Sequence, residues 1–160
     1  MRVLLFVEGE MERQGLPKCL ANYFCPKFGD GIGFRAISLK GSANYLRDIK
    51  DKVRMHLDDK KENEIIVAAG IVDLYGLPLQ LQGWSSKRVQ ERVEIGRRHF
   101  EELVDRTKFR QYFAVHETEA WLLVENDKMA PDVRSALRKG HDRPETVNND
   151  KPPSKRIEQL

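Results

Sequence analysis

Glu64-Ile65-Ile66-Val67-Ala68-Ala69-Gly70-Ile71-Val72-Asp73-Leu74-Tyr75-Gly76-Leu77-Pro78 is the stretch that decides the fold. Eight apolar or small residues run unbroken from Ile65 to Val72, Asp73 follows, and Gly76 and Pro78 break the chain. A short, β-branched, non-alternating run between turn residues reads as a strand buried on both faces, as in a parallel sheet. An ionisable residue at the C-terminal end of such a strand stands where open α/β sheets bind ligands. Asp73 is therefore an anchor that other groups of the chain could join.

Working outward, Val3 to Val7 is a second continuous apolar run, followed by Glu8, Glu10 and Glu12. A helix is predicted from Pro17, a residue suited to the first helical position, with Leu16, Leu20, Tyr23 and Phe24 as its apolar face. Pro26 and the glycines Gly29, Gly31 and Gly33 end it. That Gly-x-Gly-x-Gly follows a helix rather than a strand, so it lacks the context of a dinucleotide fingerprint and reads as a turn. Phe34 to Leu39 forms a short strand. Ser42 is expected to cap a helix with apolar positions Tyr45, Leu46, Ile49, Val53 and Leu57.

Beyond Pro78 an irregular segment leads to a helix from Ser86 to about Val104. Its seam is Val89, Val93, Gly96, Phe100 and Leu103, and Lys87, Arg88, Arg92, Arg97 and Arg98 lie opposite. A strand over Phe109–Val115 runs directly into His116-Glu117-Thr118-Glu119, and Ala120–Val124 reads as a helical turn. From Asp127 polar residues dominate. The division expected is a core over 1–126 and a polar C-terminal extension over 127–160. The order β-α-β-α-β-α-β argues for an α/β fold with a mainly parallel sheet of about four strands and helices packed on it.

Composition bounds the rest. At 160 residues, with 33% charged and 40% apolar, the chain is a globular domain's worth. No apolar run reaches the roughly 18–20 residues of a spanning helix, so no membrane partner is expected. The opening apolar stretch is too short for a signal peptide, and the expected location is the cytoplasm. Cys19 and Cys25 form neither a disulfide framework nor a zinc knuckle. A formal charge of +3 permits nucleic-acid binding without announcing it. No Gly-Lys-Ser/Thr loop is present, so the chain has no P-loop of its own.

Parallel strands bring their C-terminal ends to one edge, so Glu8, Asp73 and Glu117 or Glu119 could meet there. A carboxylate cluster stays ionised only with a compensating cation, and oxygen-only ligands favour a hard ion such as Mg²⁺. Each acid taken alone is better explained as a helix cap or a solvated side chain. Three strand ends out of four ending in acids form a pattern. His116-Glu117 is not a zincin motif, because Ala120 stands where a second histidine belongs. His116 reads either as a group assisting near the metal or as a hydrogen-bonded strand-end histidine. The basic face with Arg88 and Arg92 is either solvated or tracks phosphates.

These residues resemble a known family. Val7-Glu8-Gly9-Glu10-Met11-Glu12 resembles the Val-Glu-Gly-x-x-Glu signature of Toprim domains, shared by topoisomerases, primases and OLD-type nucleases. Asp73-Leu74-Tyr75-Gly76-Leu77-Pro78, His116-Glu117-x-Glu119-Ala120 and Pro153-Ser154-Lys155-Arg156 resemble a Toprim-like bacterial family catalogued as a domain of unknown function and often encoded beside an ATPase.

The resemblance implies a Toprim-like Rossmannoid three-layer fold. It implies a Mg²⁺- or Mn²⁺-dependent nuclease acting on DNA or RNA in anti-phage defence, with an ATPase partner and possible homo-oligomers. Catalytic roles would fall to Glu8, Asp73, Glu117 and His116. The metal would be held by Glu8, Glu12, Asp73, Glu117 and Glu119, and nucleic acid by Arg88, Arg92, Lys155 and Arg156. Tyr75 stands where Toprim has its second aspartate, which removes one ligand. The family's domain continues past Arg156, so a shortened C-terminal element is expected. The competing readings are a non-catalytic partner-binding subunit and a small-molecule phosphohydrolase.

Overall fold

Strand β1 (Arg2–Val7) leads into helix α1 (Glu10–Phe28), then β2 (Gly33–Ser38), α2 (Ser42–Leu57), β3 (Ile65–Asp73), α3 (Val89–Val104) and β4 (Phe109–Ala114). The computed structural model describes residues 1–29, 31–60, 64–75, 77–81 and 83–115. Residues 1–113 form one compact unit and 114–160 another. The second contains every site residue expected beyond β4: His116, Glu117, Glu119, Lys155 and Arg156 lie outside the described residues.

The four strands form one all-parallel sheet in the order β2-β1-β3-β4. From β1 the chain crosses to β2 on one side and then returns past β1 to β3 on the other. The reversal of winding therefore falls between β1 and β3, which is where sheets of this topology open a crevice at their C-terminal edge. The register there runs from Val3 opposite Val67 to Val7 opposite Ile71.

The pleat sorts the apolar run of each strand onto two cores. On the α1 side, Leu5, Val7 and Ala69 pack with Leu16, and Val3, Val67, Ile71, Ala36 and Leu20 close around them. On the other side, Leu4 and Phe6 are buried with Tyr45, Ile49 and Val53 of α2 and Phe100 of α3. Tyr45 meets Phe100 edge to face at 5.8 Å between ring centroids. This two-sided burial is the reason β1 and β3 do not alternate apolar with polar.

Several boundaries differ from the sequence reading. Helix α1 starts at Glu10, not Pro17, and passes through both Pro17 and Pro26. A proline inside a helix removes a hydrogen bond and crowds the preceding turn. Here Leu16 and Leu20 anchor the helix to the sheet on either side of Pro17, and tertiary packing overrides the local preference. Tyr23, expected on the apolar face, is exposed. The cap of α2 is Gly41, with Ser42 its first helical residue and no side-chain capping bond. Helix α3 begins at Val89, and a 3₁₀ turn occupies Trp84–Ser86. Its buried seam is Gly96, Phe100 and Val104, in place of Leu103.

Candidate functional site

The C-terminal ends of β1 and β3 stand side by side at this switch point. Val7 pairs with Ile71, so Glu8 follows at the level of Val72 and Asp73 stands one residue further, opposite Gly9. Neighbouring strands run about 4.8 Å apart. The first and third runs of the sequence thus deliver their acids to adjoining positions on one edge. Both Glu8 and Asp73 are half-buried.

The loop after β2 closes over Glu8. The Glu8 carbonyl accepts the Gly41 N–H at 2.9 Å and the Ser38 hydroxyl at 3.4 Å. This sets the N-terminus of α2 beside the end of β1, while α1 begins two residues after Glu8. The positive ends of both helix dipoles offset negative charge at this edge. The Glu8 carboxylate also acts on buried Tyr45. Burial drives the Tyr45 hydroxyl far above its ordinary range, the bond with Gln111 partly offsets this, and the Glu8 charge adds to the rise. Tyr45 is therefore a fixed neutral donor, bonded to Gln111 Oε1 at 2.8 Å.

Glu12 is the third residue of α1, and its carboxylate folds back over the N-cap. A Cβ added to Gly9 would stand 2.5 Å from Glu12 Oε2. Asp73 shares its strand parity with Ala69 and Ile71, which face α1. Glu12 and Asp73 thus occupy the same side of the sheet at the same edge, whereas Glu8 has the parity of Leu4 and Phe6 and acts on Tyr45 of α2. Glu10 does not join them: Arg13 and Gln14 bind its carboxylate on the exposed side of the helix and lower its pKa to about 2.

Arg92 is placed differently from its expected solvated face. Its Nη2 donates to the Leu74 carbonyl at 3.0 Å, next to Asp73. The guanidinium lies 5.6 Å from the centroid of Tyr75 and 5.0 Å from that of Trp84. Tyr75, the residue in the second-aspartate position, thus contacts a cation. Arg88 stays exposed and, among the described residues, pairs with Glu91 at the start of α3. Nothing in the spacing of α3 separates these two arginines. Only the packing of Trp84 and Tyr75 around one of them does.

The donor chemistry of Glu8, Glu12 and Asp73 is oxygen only, which suits Mg²⁺ or Mn²⁺ and not a soft ion. Among the described residues no three acidic, histidine or cysteine side chains converge closely enough to hold a metal by themselves. Glu117 and Glu119 lie outside that set. No helix among the described residues is long and apolar enough to cross a membrane. Both thiols are free.

The family model described as Domain of unknown function (DUF4276) matches residues 7–160. The chain belongs to that family. Its DUF4276 match begins at the last residue of β1 and takes in the edge just described. No curated protein matches the chain. Among solved structures it is similar to the C-terminal region of the Xanthomonas campestris pv. campestris OLD protein. The structure phased with mercury is 15% identical over 98% of this chain and 78% of that one, with a TM-score of 0.47. The structure phased with platinum is 17% identical over 99% and 77%, with a TM-score of 0.45.

Proposed function

We propose that this DUF4276 chain is a divalent-metal-dependent phosphodiester hydrolase acting on nucleic acid. The observation that carries the reading is the β1/β3 edge, where Glu8 and Asp73 end adjoining strands and the Glu12 carboxylate folds over Gly9 beside them. Glu8, Glu12 and Asp73 would hold Mg²⁺ or Mn²⁺, while His116, Glu117 and Glu119, which the sequence resemblance adds to the site, lie outside the described residues. Such an ion, when bound, polarises a phosphoryl oxygen and acidifies a bound water. The chain itself contributes preorganisation: Glu8 is fixed by two bonds to its carbonyl, and two helix N-termini offset the crowded negative charge. The resemblance to Toprim and OLD-type proteins supports a nuclease in bacterial defence with an ATPase partner.

The test is cleavage of plasmid, single-stranded DNA and tRNA in Mn²⁺ by wild type, Glu8→Gln and Asp73→Asn. The reading expects cleavage of at least one substrate by wild type and its loss in both variants. Equal behaviour of all three proteins on every substrate defeats it.

A second reading is a non-catalytic subunit that binds a partner protein. It is favoured by Tyr75 in place of an aspartate and by the lack of a complete three-ligand group among the described residues. On that reading Asp73→Asn leaves partner binding intact, and calorimetry finds no specific divalent-metal binding.

A further inference from the structure

The edge that would receive a phosphodiester carries several carboxylates, and like charges repel a phosphate brought among them. An enzyme that binds phosphate there needs a fixed positive charge that the carboxylates do not neutralise. Arg92 approaches the end of β3 from α3. Its Nη2 is tied to the Leu74 carbonyl, one residue past Asp73, and the rings of Tyr75 and Trp84 hold its guanidinium. A guanidinium held in this way loses little freedom on binding an anion, unlike a solvated arginine such as Arg88.

Two donors in this cluster are unmet. Arg92 Nε and Trp84 Nε1 are both buried, and neither has a hydrogen-bond partner among the described residues. Trp84 as a whole is only 7% exposed. Its ring edge comes within 3.1 Å of where a Cβ on Gly96 would lie, which holds the indole against α3. Buried N–H groups without acceptors are rare in folded proteins and call for an explanation. A phosphodiester supplies what they lack, because its anionic oxygens accept and it carries no donor.

We propose that Arg92 is the phosphate-binding residue of this site, holding a phosphate oxygen of the nucleic-acid substrate beside Asp73 without help from a cation. The inference rests on the phosphodiesterase reading for the identity of the substrate.

Trp84 serves as the reporter. The full chain has two tryptophans, so a Trp121→Phe background isolates its emission. That protein is titrated in EDTA with inorganic phosphate and with a thymidine tetranucleotide. A saturable change in Trp84 emission is expected with both. Arg92→Gln should weaken the apparent affinity by about tenfold or more, as loss of a charge-assisted bond does. Arg92→Lys, which keeps the charge and loses the planar fork, should fall between the two. Arg88→Gln should stay within about twofold, as an exposed charge does.

No saturable change in the parent protein, or an Arg92→Gln affinity within twofold of it, overturns the proposal. If circular dichroism shows Arg92→Gln unfolded, Arg92→Lys decides, and an unchanged affinity there overturns it. The titration involves neither metal nor hydrolysis. Its failure is therefore distinct from failure of the cleavage assay with Glu8→Gln.

Discussion

The Glu12 carboxylate occupies the space a side chain at Gly9 would need, with Oε2 2.5 Å from the position of a Cβ there. The N-cap of α1 is thus kept bare so that an acid from the first turn can lie over it. A side chain at Gly9 would have to displace the Glu12 carboxylate, while the turn itself makes no demand for glycine, since Gly9 has an ordinary extended backbone. Gly9→Ala should push the carboxylate aside while leaving α1 intact, because the displaced atoms are the end of a flexible chain. A stability change under about 1 kcal/mol is expected. Mn²⁺ affinity, measured by calorimetry, should fall roughly tenfold if Glu12 is a ligand. An unchanged affinity would remove Glu12 from the ligand set.

Divalent ions should also register in stability, apart from any turnover. A ligand that binds only the folded state at a hundred times its Kd adds about 2.7 kcal/mol. Mn²⁺ should therefore raise the melting temperature of wild type and leave that of Asp73→Asn unmoved. Equal shifts in the two proteins would place the bound ion elsewhere.

The buried Tyr45–Gln111 bond passes over Gly70, where an added Cβ would run into the Tyr45 hydroxyl and Gln111 Oε1. Gly70→Ala overpacks this point and should cost about 1–3 kcal/mol. Tyr45→Phe leaves the Gln111 oxygen without its donor and should cost about 1–3 kcal/mol as well. Because the two changes share one contact, thermal melts of the double variant should show less than the sum.

Glu10 offers a pH test with a defined direction. Its carboxyl titrates near pH 2 because Arg13 and Gln14 bind the ionised form. A folded-state pKa below the unfolded value means that the stabilising contribution is complete above about pH 4.5 and is lost as pH falls towards 2. In Arg13→Ala, the Glu10 pKa followed by NMR should rise towards the ordinary carboxylate range. Metal affinity should be unaffected, since Glu10 lies outside the proposed ligand set.

The sheet was legible because burial on both faces leaves a mark that no tertiary information is needed to read. The run Ile65–Val72 lies in β3 over Ile65–Asp73, which ends at its acid, and Val3–Val7 lies in β1 over Arg2–Val7, with Glu8 the next residue. The seam of α2 was equally plain, since Tyr45, Ile49 and Val53 follow the helical period and all are buried. The start of α1 departs from the strong local signal of Pro17 because Leu16 and Leu20 exert their effect only through contact with the sheet.

Adjacent acids at the β1 and β3 ends were an expectation of strand direction. The choice of β1 and β3 as neighbours, with Val7 opposite Ile71, belongs to the sheet order. The sequence by itself determined the parallel α/β class and the acids at its strand ends, because hydrophobic runs and their terminators are local. Tertiary structure alone decided that Tyr45 bonds to a glutamine 66 positions away. It also decided that Arg92, one of several arginines on a helix of ordinary charge pattern, turns inward to the strand end. Those outcomes depend on which surfaces the strand order brings together, and no periodicity in the chain encodes that order.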